Sequence, residues 1–421
     1  MNSQAGPGQG HGDPQPDPLI PEFRITVSGP RVDWAAAVDR AQAVVAGCAD
    51  SEPEELIDGG AMLVARAGRF VDPHTVAVGD RHPYGESVVM VTGAMLPRLP
   101  VEGIELADRH VELLEAFQLP DRLEVVGGGV IGMEFAFMTA RVGVEVSVVK
   151  LVDHVLGRAD QDVRREVAAM AERLGIALHL STRVERLVGD ENGIVVEAMS
   201  PDGPLQLASE QVLLAAGMVP AVEDLALEAA GVAYDHHGIP TDPTLRTNVA
   251  HIYAIGDVRA GAYQLSPIAT KRGMMAAGNA LRGEQVAFDD RVVPYLVGLT
   301  PPVAGVGLTE DQARDQGLPV EVHRQGYKDI CPVGNVVGEL EGFVKVVAET
   351  GSGRTLGAHA VGAGSPELIQ GVAFAMTGNL TLAQAAGTLS VFPGLSQVLR
   401  YALMPKPIHD PPYVPRRPPG A

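Results

Sequence analysis

The chain has 421 residues, 46% of them apolar and only 4% aromatic, and a formal net charge of -20. At roughly 100–200 residues per domain, this length predicts about two to four domains with aliphatic cores. The negative charge argues against a nucleic-acid partner and an anionic membrane surface, and favours a soluble, cytoplasmic protein.

The start, "MNSQAGPGQGHGDPQPDPLIPE", has neither a basic region nor an apolar run, so no signal peptide is expected, and residues 1–21 read as a disordered tail. "VDWAAAVDRAQAVVAG" (32–47) predicts a helix, and "MLVARAGRFVDPHTVAVG" (62–79) predicts strands around the turn "DPHT". "SVVMVTGAMLPRLP" (87–100) predicts a buried strand running into a Thr-Gly turn. "LEVVGGGVIGMEFAFMTARVGVEVSVVK" (123–150) reads as strand, glycine turn, helix, strand. "DQDVRREVAAMAERLG" (160–175) is an amphipathic helix, and 181–217 reads as strands separated by the turns "ENG" and "PDG". "HIYAIGD" (251–257) is a short apolar strand closed by an acid, and "IATKRGMMAAGNALRG" (268–283) is a helix.

From Val292 the pattern changes to antiparallel strands around "GSG" (340–362), then helices at "SPELIQGVAFAMTG" and "TLAQAAG", which predicts a separate C-terminal domain. The run from Leu368 to Leu399 carries no charge and is long enough to span a bilayer, but its Gly, Pro, Asn and Gln residues favour helices buried in a core or subunit interface, with no membrane span. The end, "MPKPIHDPPYVPRRPPGA", is too proline-rich for helix or central strand.

The turn Gly127-x-Gly129-x-x-Gly132 sits between an apolar strand and a helix, with a second strand after it, which is the context a dinucleotide-binding turn requires. Gly127 permits the tight turn, Gly129 lets the backbone approach a pyrophosphate, and Gly132 lets helix and strand pack closely. Lys150 ends the second strand, where an acid would accept hydrogen bonds from the ribose of NAD. A cation there suits a 2′-phosphate, with Arg158 able to assist, so the residues lean to NADP over NAD. The competing reading makes Lys150 a solvated surface charge. "VGAGSP" (361–366) also holds Gly-x-Gly, but proline follows and no strand–helix–strand unit surrounds it, so it reads as a loop. Cys48 and Cys331 lie far apart and outside any CxxC or Cys/His cluster, so neither a disulfide framework nor a metal site is expected.

The motifs "VTGAMLP" (91–97), "VVGGGVIGMEFA" (125–136), "AAGMVP" (215–220), "IYAIGDVRAGAYQLSPIATKRG" (252–273), "LTPPVAGVGLTEDQAR" (299–314) and "SVFPGLSQVL" (390–399) occur in an order and spacing that resembles the flavin-dependent pyridine nucleotide-disulfide oxidoreductases, the family of dihydrolipoamide dehydrogenase and mercuric reductase. The resemblance implies an α/β fold with two three-layer, Rossmann-like nucleotide-binding domains, the first incomplete, and a C-terminal α+β dimerisation domain. It places an FAD domain at 22–120 and 226–285, an NAD(P) domain at 121–225, and a dimerisation domain at 290–405, before a tail at 406–421.

By position, the resemblance sets Thr92 and Gly93 near FAD, Asp257 on the ribityl chain, and Gln264, Leu265, Ser266 and Pro267 along the flavin ring. Gly127, Gly128, Gly129, Val130, Ile131, Gly132 and Met133 would hold NAD(P). Glu134 would approach the nicotinamide and Gly217 would border it, with Lys150 and Val184 completing the cofactor-binding set. Considered without the resemblance, Asp257 reads equally well as a helix cap.

Three departures shape the functional expectation. The family opens with its own GxGxxG strand and a Cys-x4-Cys pair, and this chain shows neither, so either the start lies upstream or that domain is rebuilt. The family's C-terminal His and Glu acid/base pair falls on Phe392 and Gln397, which cannot transfer or orient a proton. Its arginine after Ala-Gly is Met218, and an acid of its second FAD helix is Lys271. No catalytic residue is assigned. The expectation is either an FAD-dependent NAD(P)H oxidoreductase, homodimeric, with an external small-molecule acceptor such as a quinone or oxygen, or a dimeric remnant without turnover.

Overall fold

The computed structural model describes residues 32–191, 193–261, 264–330 and 341–404. The expectations for both tails and for Cys331 lie outside the described residues. The described residues divide into two compact units, one within 32–38, 100–215 and 291–404 and the other within 39–99 and 216–290.

The first unit contains a parallel sheet of four strands in the order Gln211–Leu214, Arg122–Val126, Glu145–Val149, Ala177–His179. Alternate residues of the middle strands, Leu123, Val125, Val146 and Val148, join Met133, Phe137, Val163 and Val167 from the helices Val130–Arg141 and Gln161–Arg173 in one buried cluster. Period-two alternation sends Glu124 and Val126 to the other face, where the antiparallel strands Arg183–Asp190, Gly193–Ser200 and Gly203–Ser209 form the third layer.

The same unit carries a five-stranded antiparallel sheet in the order Tyr295–Val297, Val303–Gly307, Thr355–Val361, Phe343–Glu349, Val320–Gly326. The uncharged run folds as the helices Ser365–Thr377, Leu382–Ala386 and Ser396–Ala402. Leu368, Ile369, Val372 and Val398 bury against this sheet, while Phe374, Leu389, Val391 and Phe392 are exposed. Among the described residues no helix is long and apolar enough to cross a membrane. "VGAGSP" is a loop only at 362–364: Val361 ends the strand Thr355–Val361, and Ser365 and Pro366 open the helix Ser365–Thr377 after Gly364, at φ 66°.

In the second unit the parallel sheet has two strands among the described residues, Val88–Met90 and Ile252–Ala254. Antiparallel pairs at Arg69–Asp72 with Thr75–Ala77 and at Ala94–Met95 with Val219–Pro220 accompany it, with the helix Ser266–Arg282. Phe70, Met90, Leu227, Ile239 and Ile252 form its core. The buried strand expected over 87–100 is corrected here. Val89 is 39% and Val91 54% exposed, because alternation turns them away from the face on which Val88 and Met90 pack into the core. The helix expected over 32–47 runs further, from Trp34 to Asp58.

Candidate functional site

In the first unit the glycine turn joins the end of the strand Arg122–Val126 to the helix Val130–Arg141, with Gly129 as N-cap. Gly127 has φ 124°, a conformation that favours glycine. A Cβ on Gly132 would stand 1.8 Å from the Gly127 carbonyl oxygen, so no side chain fits there. Over Gly129 nothing lies within 4 Å of such a Cβ, which leaves open the approach a pyrophosphate needs. The first amides of the helix have no partner within it and point toward that opening. Val130 is exposed, Ile131 is half-buried, and Met133 is fully buried, so Met133 contributes packing and its backbone.

Lys150 follows the neighbouring strand Glu145–Val149 and is half-buried. Its Cγ and Cδ lie 3.6 and 3.5 Å from the position a Cβ on Gly128 would take, so its stem runs alongside the turn. Lys150 is fixed through its backbone: its amide donates to His179 O and its carbonyl accepts from Thr182, each at 2.9 Å. Half-buried Val184 stands two residues beyond Thr182, on the strand Arg183–Asp190. Arg158 is exposed. Glu134, one turn into the helix, accepts from the Gly298 amide at 2.6 Å. The residues present therefore suit a dinucleotide: an open glycine cradle, helix amides, and a lysine beside them.

In the second unit the residues expected around FAD converge at the carboxyl ends of the two parallel strands, where open α/β sheets place their ligands. The Ile255 amide donates to Met90 O at 3.0 Å, which sets Val91–Gly93 beside Gly256 and Asp257. A Cβ on Gly256 would meet Val91 at 3.8 Å and Ala269 of the following helix at 3.4 Å. Thr92 donates to Ala221 O at 2.9 Å, and Gln264 donates to Met218 O at 3.4 Å, which draws Gly217 into the same group. Gly93 (φ 75°) and Gly217 (φ 109°) both face open space.

Leu265 is the N-cap of the helix Ser266–Arg282, and Ser266 and Pro267 form its exposed first turn. Asp257 lies in a short 3-10 turn, half-buried, and caps no helix. Its carboxylate has no hydrogen-bond or ion-pair partner among the described residues, and burial raises its pKa above the usual range. A half-buried acceptor without protein donors fits the hydroxyls of a ribityl chain.

Phe392 is exposed, while Gln397 is buried with its Oε1 unpartnered. Cys48 lies exposed on the helix Trp34–Asp58. Sequence reasoning did not foresee Val155 and Leu156, which back the glycine turn, or the buried Lys345 that is tied to Asp160. Asp160-x-Asp162 ahead of an amphipathic helix carried the available signal, an N-cap.

A family model described as pyridine nucleotide-disulphide oxidoreductase matches residues 37–282, and its dimerisation-domain counterpart matches residues 293–403. The chain is 35% identical over 356 residues to a dihydrolipoyl dehydrogenase of Haloferax volcanii, covering 82% of this chain and 74% of that protein. It is 35% identical over 344 residues to the dihydrolipoyl dehydrogenase of Mycobacterium tuberculosis, covering 79% and 73%. The solved structure of the HOCl-induced flavoprotein disulfide reductase RclA from Escherichia coli superposes with a TM-score of 0.79 at 30% identity, over 88% of this chain and 85% of that one.

Proposed function

The chain belongs to the pyridine nucleotide-disulphide oxidoreductase family, whose members are FAD-dependent and use NAD(P), and we propose that it is a cytoplasmic, homodimeric NAD(P)H oxidoreductase that passes electrons to an external small molecule, such as a quinone or oxygen, without a redox disulfide. The observation that carries this reading is the glycine turn, closed to any side chain at Gly132 and open above Gly129. FAD, when bound, supplies a ring that accepts hydride from the nicotinamide and releases electrons to an acceptor.

The protein's own residues do the holding. Helix amides at Val130–Gly132 take the dinucleotide's pyrophosphate, and the Lys150 ammonium takes a 2′-phosphate, which favours NADPH. Asp257 accepts from the ribityl hydroxyls, and Thr92, Gly93 and residues 264–267 border the ring. Phe392 carries no transferable proton and Gln397 no carboxylate, so the proton handling that a dithiol needs has no residue to perform it there.

An absorption spectrum of the purified protein, before and after NADPH or NADH, tests this. A flavin spectrum that bleaches supports the reading, and the faster donor reports on Lys150. The absence of a flavin band after incubation with FAD sinks it. That outcome would leave a dimeric remnant without turnover, a reading favoured by one observation: the parallel sheet beneath Asp257 has two strands among the described residues.

A further inference from the structure

Lys345 lies on the strand Phe343–Glu349 of the C-terminal sheet, and 2% of its side chain is exposed. Its ammonium is 2.8 Å from a carboxylate oxygen of each of Asp160, Asp162 and Glu310. Asp162 also pairs with Arg165, and Glu310 with Arg314. Three cations thus meet three carboxylates, a balance that lets Lys345 and Asp160 be buried at its centre. Asp160, 1% exposed, has its ion pair with Lys345. It caps the helix Gln161–Arg173 by accepting from the Asp162 amide at 3.0 Å, and accepts from the Glu310 amide at 3.2 Å. It is therefore fixed from three directions.

Asp160 ends the irregular segment that begins at Lys150. Within that segment Leu156 has φ 48°, a left-handed conformation that is strained for a residue with a side chain. Strain of this kind persists only where the flanking structure enforces it. The amide of Leu156 donates to the carbonyl of Gly128 at 2.8 Å, and Ala159 donates to Leu156 O at 2.7 Å. Val155 stands 3.2 Å from where a Cβ on Gly128 would lie. The glycine turn is thus braced from behind by a strained residue whose downstream anchor is Asp160.

We propose that Lys345 is a positioning residue for the nicotinamide dinucleotide: by anchoring Asp160 it holds Leu156 in place and keeps the Gly127–Gly129 backbone shaped for the pyrophosphate. The proposal rests on that turn being the dinucleotide site. Lys345 touches no cofactor. Its effect reaches the nucleotide through Asp160, Leu156 and Gly128, all within one unit.

Lys345→Met alone leaves Asp160 buried without its cation and risks unfolding. The test therefore uses the double variant Asp160→Asn, Lys345→Met. Asparagine keeps a capping oxygen, and Asp162 and Glu310 keep their arginines. The Kd for NADPH, read from the fluorescence of the bound nicotinamide, should rise about tenfold, as when groups that orient a ligand's direct contacts are removed. The KM for NADPH should rise with it while kcat at saturating NADPH holds, since only uniform binding is lost. A folded double variant with the parental Kd overturns the positioning role alone. A variant in which kcat falls and KM stays also overturns it. A parent that binds no dinucleotide overturns the reading of the glycine turn, and this inference with it.

Discussion

Glu124 offers the sharpest test of how the first unit is built. It stands in the strand Arg122–Val126 at 3% exposure, between Ser147 and Val212 on the adjoining strands, with one carboxylate oxygen unpartnered. Burial alone pushes its pKa from 4.5 up to about 8. The folded state therefore keeps a proton that the unfolded chain releases, and stability is greatest below the unfolded value. It should fall by about 1.4 kcal/mol per pH unit from pH 4.5 until the folded value near 8 is passed, a total of about 5 kcal/mol. Glu124→Gln keeps the shape and stays neutral at every pH. Urea unfolding of parent and variant at about pH 6 and about pH 9 should show the parent losing about 3 kcal/mol that the variant keeps. Parallel losses in the two proteins would refute the argument, because they would mean that Glu124 ionises freely in the folded state.

Two substitutions test the cofactor groups. Lys150→Asp should move the ratio of kcat/KM for NADH over NADPH upward by roughly 100-fold, the worth of a charge-assisted hydrogen bond lost to one donor and an acceptor gained for the other; an unchanged ratio in steady-state assays would take Lys150 out of the site. Asp257→Ala should weaken FAD retention roughly tenfold or more, read from the flavin released on gel filtration, and full retention would leave the half-buried carboxylate without a role in holding the ribityl chain.

What was legible in the sequence follows the range of the forces involved. The glycine turn could be read because its demands are local: Gly132 has no room for a side chain, Gly127 needs a left-handed backbone, and a strand and a helix flank them within a few residues. The same holds for the hairpins after residue 181, whose turn residues sit beside the strands they join. Burial is another matter. "VVMV" and "LEVV" read alike as apolar strands, yet Val89 is exposed on the face away from the core while Glu124 is sealed between a parallel and an antiparallel layer. No local pattern separates them, because the covering layer comes from elsewhere in the chain.

Lys345 is the extreme case. Its partners lie at 160, 162 and 310, and nothing local to the apolar strand "FVKVVAE" announces them. Phe392 and Gln397, where the sequence resemblance expects an acid/base pair, were legible for the opposite reason. Their chemistry is fixed by residue type, and no fold can give phenylalanine a proton to transfer. The glycine turn and the proposed loss of the acid/base pair thus rest on independent grounds. A protein can keep the turn and lack the pair only if the electrons it accepts leave by a route that needs no thiol, or if they never arrive. The flavin spectrum separates those two cases, and the Lys345 double variant reports on dinucleotide binding in either one.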